Sequence, residues 1–168
     1  STLMKNIIFI LGMISFGSMA IAQNNSMEIY ETSGQVQITK VESSKVCWAT
    51  ISTSSANGIP SFFATYKLKS GDRWQVVGNA GIKSAQANDI LTIRFDDEPF
   101  IFRELQLVNN TFALPFTEDT DLAGFDQRVA NSQNVEFNLL RLKDKITVDL
   151  EMLRQAKNTI DQCLDTIK

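Results

Sequence analysis

The chain has two cysteines, Cys47 and Cys163, and their positions restrict its fold more than any other feature. Cys47 lies in Val46-Cys47-Trp48-Ala49-Thr50-Ile51. Cys47, Ala49 and Ile51 share one face there, and Val46, Trp48 and Thr50 share the other. A period of two is the signature of a strand. Cys163 lies in a terminal stretch where Leu150, Leu153, Ala156, Ile160, Cys163 or Leu164, and Ile167 recur at helical spacing. Glu151, Arg154, Lys157, Asp161 and Asp165 fall opposite them. Asp149 precedes this stretch and suits the cap position, where a carboxylate accepts a free first-turn amide. A Cys47–Cys163 bond would fasten an early strand to a closing helix across a loop of about 117 residues. Chain-entropy arithmetic gives such a loop about 4 to 5 kcal/mol. Two free thiols are the alternative, and a metal site is a poorer one, because there is no histidine to complete it.

A disulfide needs an oxidising compartment, and the start of the chain points to one. Ser1 to Leu3 are read as upstream residues, Met4 as the start and Lys5 as a short positive region. Ile7 to Ile14 is almost wholly apolar and leads through Ser15 to Ala20-Ile21-Ala22. This order fits a secretory signal peptide over residues 1–22, cleaved after Ala22, leaving one β-rich domain over 23–168. Ser15, Gly17 and Ser18 break the run short of the ~20 apolar residues a spanning helix needs. No later stretch is long and apolar enough to span. The expectation is a periplasmic or secreted protein without a membrane span after leader cleavage.

Lys and Arg number 16 against 19 Asp and Glu, a net charge of −3. No basic block interrupts this mild acidity. That argues against a nucleic-acid surface, which needs clustered cations for counterion release, and against an anionic membrane surface.

Between leader and closing helix, short alternating runs are separated by turn residues. Strands are read at Glu28–Thr32, Gln35–Glu42, Val46–Ile51, Phe62–Leu68, Arg73–Val77 and Ile90–Phe95. Further ones are read at Phe100–Arg103, Glu104–Val108, Thr111–Leu114, Asn134–Leu142 and Lys145–Val148. Ser52 to Pro60 reads as a loop around Asn57-Gly58, Gly78 to Asn88 as a linker, and Asn109-Asn110 and Lys143-Asp144 as hairpin turns. The fold class this predicts is mainly β: an antiparallel β-sandwich or open barrel, with a short helix near 121–131 and a C-terminal helix over 149–167.

Catalytic chemistry finds little support. Without histidine, the Ser-His and Cys-His nucleophile pairs are excluded. No phosphate loop, nucleophile elbow or Cys-x-x-Cys occurs. No catalytic, cofactor-binding or metal-binding residue is assigned, and no cofactor is expected. Asp96-Asp97-Glu98 reads as a solvated turn and Glu118-Asp119-Thr120-Asp121 as helix capping; calcium binding, for which the spacing lacks an EF-hand pattern, and a carboxylate pair are the competing readings of both. Trp48, Trp74, Phe62, Phe63, Tyr66, Phe100 and Phe102 read mostly as core. Arg73 beside Trp74, or Phe62 with Phe63, is the candidate partner-binding patch, since Trp and Arg are favoured interface anchors.

The order of these segments resembles a known family. The residues concerned are Lys45-Val46-Cys47-Trp48-Ala49, the Phe63–Lys69 strand, and the strand, acidic turn and strand over Ile90–Arg103. The helix Leu122–Ala130, the hairpin around Leu140–Val148 and the helix ending at Cys163 follow. Together they resemble the invasion-associated locus B family of exported proteobacterial proteins, over about Gln35 to Asp165. The resemblance implies a periplasmic or surface β-rich protein tied to host-cell invasion or envelope function, with no agreed enzymatic activity. The expected function is that of an exported, non-enzymatic module that binds another protein in the periplasm or at the host or cell surface. The rivals are an inhibitor of an envelope hydrolase presenting Ser52–Pro60, and such a hydrolase itself, using Asp96, Asp97, Glu98 or Glu118. A structural or chaperone role with an exposed apolar groove is a third.

Overall fold

The computed structural model describes residues 27–82, 90–99, 101–104, 107–108, 112–116 and 119–168; side chains of 102–122 are not described. Eleven strands and two helices occur among them, and no closed barrel forms. The strands are β1 (Met27–Ser33), β2 (Val36–Val41), β3 (Val46–Ser54), β4 (Pro60–Leu68), β5 (Arg73–Asn79) and β6 (Ile90–Phe95). They continue with β7 (Ile101–Glu104), β8 (Leu107–Val108) and β9 (Phe112–Phe116), then helix α1 (Asp119–Asn131). Strands β10 (Asn134–Leu139) and β11 (Asp144–Asp149) lead into α2 (Leu150–Asp165).

Two antiparallel sheets form a β-sandwich with a C-terminal helix. The large sheet has the order β1-β2-β3-β4-β5-β9-β8, and the small one β11-β10-β6-β7. Hairpin geometry explains much of this order. Gly34 takes a left-handed φ of 58° at the β1–β2 turn, and Gly71 takes 104° between β4 and β5. Lys45 and Lys143 take the same region without being glycine, each closing a four-residue turn ahead of its strand.

The sheets meet through one apolar core. Ile51, Phe63 and Val77 of the large sheet face Leu91, Ile93, Phe95, Val135, Phe137, Ile146 and Val148 of the small one. Phe63 stacks on Phe137 at 5.2 Å, while Phe125 of α1 closes the mouth against Phe63 and Phe95. Burying such rings supplies most of the driving force for joining the layers.

The small sheet is too narrow to cover β2 and β3, and α2 covers the remainder. Ile38, Cys47 and Ala49 pack against Ala156, Ile160, Cys163, Leu164 and Ile167. Cys47 and Cys163 form the disulfide, with Cα atoms 6.3 Å apart. The face carrying Cys47 is thus the one the closing helix covers, as a bond between the two cysteines requires. Asp149 ends β11 and caps α2 at once, its Oδ1 accepting from the Glu151 amide at 2.9 Å. At the other end the Lys69 ammonium reaches the carbonyls of Leu164 and Ile167. Arg154 of α2 donates to the carbonyls of Val129 and Ser132 at the end of α1. Asp126 of α1 joins Arg73 of β5 and Lys157 of α2, at 2.6 and 2.8 Å.

Several boundaries differ from the sequence reading. The Ser52–Pro60 loop shrinks to residues 55–59, because β3 runs to Ser54 and β4 starts at Pro60. Gly78 belongs to β5 and not to a linker, and Asp144 begins β11 and is not a turn residue. The Asn109-Asn110 turn lies outside the described residues, as do Phe100 and Glu118.

Candidate functional site

The outer face of the large sheet, turned away from the small sheet and α2, is built by strand alternation. Residues opposite in phase to Cys47, Ala49 and Ile51 must point there. They are Val41 of β2, Val46 and Trp48 of β3, Phe62, Ala64, Tyr66 and Leu68 of β4, and Trp74 and Val76 of β5. Trp48, Tyr66 and Trp74 sit side by side on three neighbouring strands, because Tyr66 pairs with both others. Their rings stack at 5.2 Å and 5.0 Å, with planes 24° and 7° apart. Phe62 extends the row across Gly78, where a Cβ would stand 2.1 Å from the ring, so the neighbouring strand requires glycine at that point.

All three central rings are at most 1% exposed, yet no described element lies over them. Trp48 Nε1, Tyr66 OH and Trp74 Nε1 are buried without a hydrogen-bond partner. Burial pushes the Tyr66 phenol well above its usual pKa, which keeps it neutral and able to donate. Leaving a buried donor unpaired costs roughly 1–3 kcal/mol. The face is therefore both an apolar platform and a row of three donors.

The anticipated patch residues divide between the two faces. Phe62 and Trp74 belong to the outer face. Phe63 points the other way into the inter-sheet core, because neighbours on a strand alternate, so Phe62 and Phe63 are not one patch. Arg73 also points inward and is engaged by Asp126. Burial raises the Asp126 carboxyl, but the hydrogen bonds from Lys157 and Arg73 outweigh it and hold the group below the usual carboxylate range. Sequence reading treated Trp48 and Tyr66 as core; cross-strand register, which needs the fold, aligns them with Trp74.

The acidic turn borders an open depression of about 630 Å³ that Asp96, Asp97 and Glu136 line together with Arg94. Both Asp96 oxygens accept from backbone amides of Gln133 and Asn134, at 2.9 to 3.1 Å. Asp97 is fully exposed beside Arg94, and Glu98 binds Arg128 at 3.2 Å. Asp96 and Glu98 are thus each held by a partner, while Asp97 stays solvated. The loop at Ser55–Ile59 is pinned as well. Asn57 N donates to Asp144 Oδ1 at 3.1 Å, and Ala56 N donates to the Lys145 carbonyl. Asn79 Nδ2 donates to Asp144 Oδ2 and to Ser61 Oγ. Burial raises the Asp144 carboxyl, but hydrogen bonds from Ser55, the Asn57 and Lys145 amides and Asn79 more than offset it, so its pKa is lowered.

A groove of about 420 Å³ runs between the β1–β2 hairpin and α2, with Val36, Ile38, Met152 and Ala156 on its floor and Glu31, Asp149 and Glu151 on its rim. Two of these rim carboxylates are already used, Asp149 as the α2 cap and Glu151 by Arg154. Among the described residues no group of three or more His, Cys, Asp or Glu could hold a metal ion. No helix among them is long and apolar enough to cross a membrane. Comparison with known proteins adds no relative: no family model, curated protein or solved structure matches this chain.

Proposed function

We propose that the chain is an exported, non-catalytic module of the bacterial periplasm or cell surface, and that it binds another protein through the outer face of the large sheet. One observation carries this reading. Trp48, Tyr66 and Trp74 are buried on a face over which no described element lies, with three ring donors lacking acceptors. A partner protein would supply carbonyl oxygens for the three donors. Trp and Tyr are also the residue types that most often anchor interfaces. Export is supported by the leader pattern over residues 1–22 and by the disulfide. Asp96 and Glu98 are each held by a partner, which lends the hydrolase reading no support. A role in invasion rests on the family resemblance alone.

The test places a photo-crosslinking residue at Gln37 or Thr50, on the outer face of the large sheet, in chains of residues 23–168 exported to the periplasm. Control positions are Glu136 and Thr147, on the outer face of the small sheet. An adduct of one defined mass at Gln37 and Thr50, absent from the controls, is expected. Adducts at none of the four positions, or equally at all of them, overturn the proposal.

A further inference from the structure

The groove between the β1–β2 hairpin and α2 lies on the other side of the large sheet from the aromatic row, and its lining selects a ligand by charge and polarity. We infer that this groove binds a free aliphatic amine, with the ammonium on the Glu31 carboxylate and the alkyl chain along Val36 and Met152.

The overhang of β1 creates the groove. Helix α2 packs on Ile38, Cys47 and Ala49 of β2 and β3, so β1 extends the sheet one strand past them. Residues paired in register point to the same side of a sheet. Glu28 is opposite Lys40, Glu31 opposite Ile38 and Ser33 opposite Val36, so these three β1 residues face the α2 side. The register shift between Ile29 and Glu31 is what turns Glu31 that way. Unbroken alternation from Glu28 would have aimed Tyr30 and Thr32 at the groove and Glu31 away from it. Re-aiming a side chain is a recurrent use of such a bulge.

The two carboxylates then meet different surroundings. Glu28 pairs with Lys40 at 2.9 Å. Glu31 stands opposite an isoleucine, and no described cation pairs with it. The lining holds three carboxylates, Glu31, Asp149 and Glu151, and no lysine or arginine. Such a lining repels anions and attracts a cation. Asp149 and Glu151 are already engaged, and the free amides at the start of α2 oppose a cation beside them, so the ammonium falls to Glu31. The floor sets the rest of the ligand. Val36, Ile38, Met152 and Ala156 have no side-chain polar group to offer, so a peptide laid there would bury amides without partners. An alkyl chain has no such groups to bury. Met152 is unbranched and adapts to the shape of a chain laid on it. The volume of about 420 Å³ is that of a small-molecule cleft.

The probe is n-octylammonium, compared with octanol and octanoate on the full oxidised chain. Calorimetry reads affinity, and two-dimensional NMR reads position. Octylammonium is expected to bind about fivefold tighter than octanol, and octanoate more weakly than either. Shifts are expected at Val36, Met152 and Ala156. Glu31→Gln should remove the preference for the amine over octanol, and Gln35→Lys, which sets a cation on the rim, should do the same. Asp97→Asn, which removes a solvated carboxylate on the small sheet, should leave it intact. All three positions are exposed, so folding is retained. Octylammonium binding no tighter than octanol overturns the inference. So do shifts confined to other surfaces, a preference that survives Glu31→Gln, or an equal loss in Asp97→Asn.

Discussion

In the small sheet, β10 and β11 alternate cleanly. Val135, Phe137, Leu139, Ile146 and Val148 point inward, and Glu136, Asn138, Lys145 and Thr147 point out. Glu136 and Lys145 even pair with each other, at 3.2 Å. In the large sheet, β4 is buried from Ser61 to Tyr66 without alternation, because Phe63 serves the inter-sheet core while Phe62, Ala64 and Tyr66 serve the other side. An antiparallel sheet with one face in water should alternate, and a sheet covered on both faces should read as a continuous apolar run. The small sheet thus ends the protein, whereas the large sheet is a middle layer whose second cover is not among the described elements.

That contrast can be broken or sharpened by substitution. The largest effect is expected where the large sheet is fastened to α2. Replacing both Cys47 and Cys163 by serine should lower stability by about 4 kcal/mol on the chain-entropy scale, read from urea unfolding. A loss under about 1 kcal/mol would mean that packing alone seats the helix. Next come the two outer faces compared directly. Trp74→Ala should cost about 3 to 5 kcal/mol, whereas Thr147→Ala should stay within about 0.5 kcal/mol. Equal small losses would show that the aromatic row behaves as ordinary surface.

A smaller effect, of roughly 1–3 kcal/mol, is expected for Asp144→Asn, which turns an acceptor of several hydrogen bonds into a partial donor. The Asp144 and Asp126 carboxyls are both held below their usual range. Below about pH 4 the unfolded chain binds protons that the folded one resists, so stability is complete above that range and falls as pH drops through it. Urea midpoints at pH 7 and pH 3 should converge in Asp144→Asn, relative to the parent chain. The smallest change, within about 0.5 kcal/mol, is expected from Lys145→Ala, which removes one exposed ion pair on the polar face. A larger loss would mean that this face is not simply solvated.

The strands and the cap at Asp149 were legible because each rests on local spacing. The same alternation within β4 sets Phe62 and Phe63 on opposite faces. Other features needed the fold. β6 pairs with β10 across some forty intervening residues and β5 with β9 across more than thirty, and no local pattern records such a choice. Arg73 meets Asp126, and Asp144 meets Asn57 and Asn79, only because the sandwich brings distant turns together. The aromatic row was visible as composition but not as a row, since its alignment depends on the register of three strands.

The bond from Cys47 to Cys163 also orders events in time. Its second sulfur follows the first by 116 residues and lies on the last helix. The early strand therefore stays untethered until the segment bearing Cys163 has been made, so the covalent tie can only follow the synthesis of both sheets' strands in sequence.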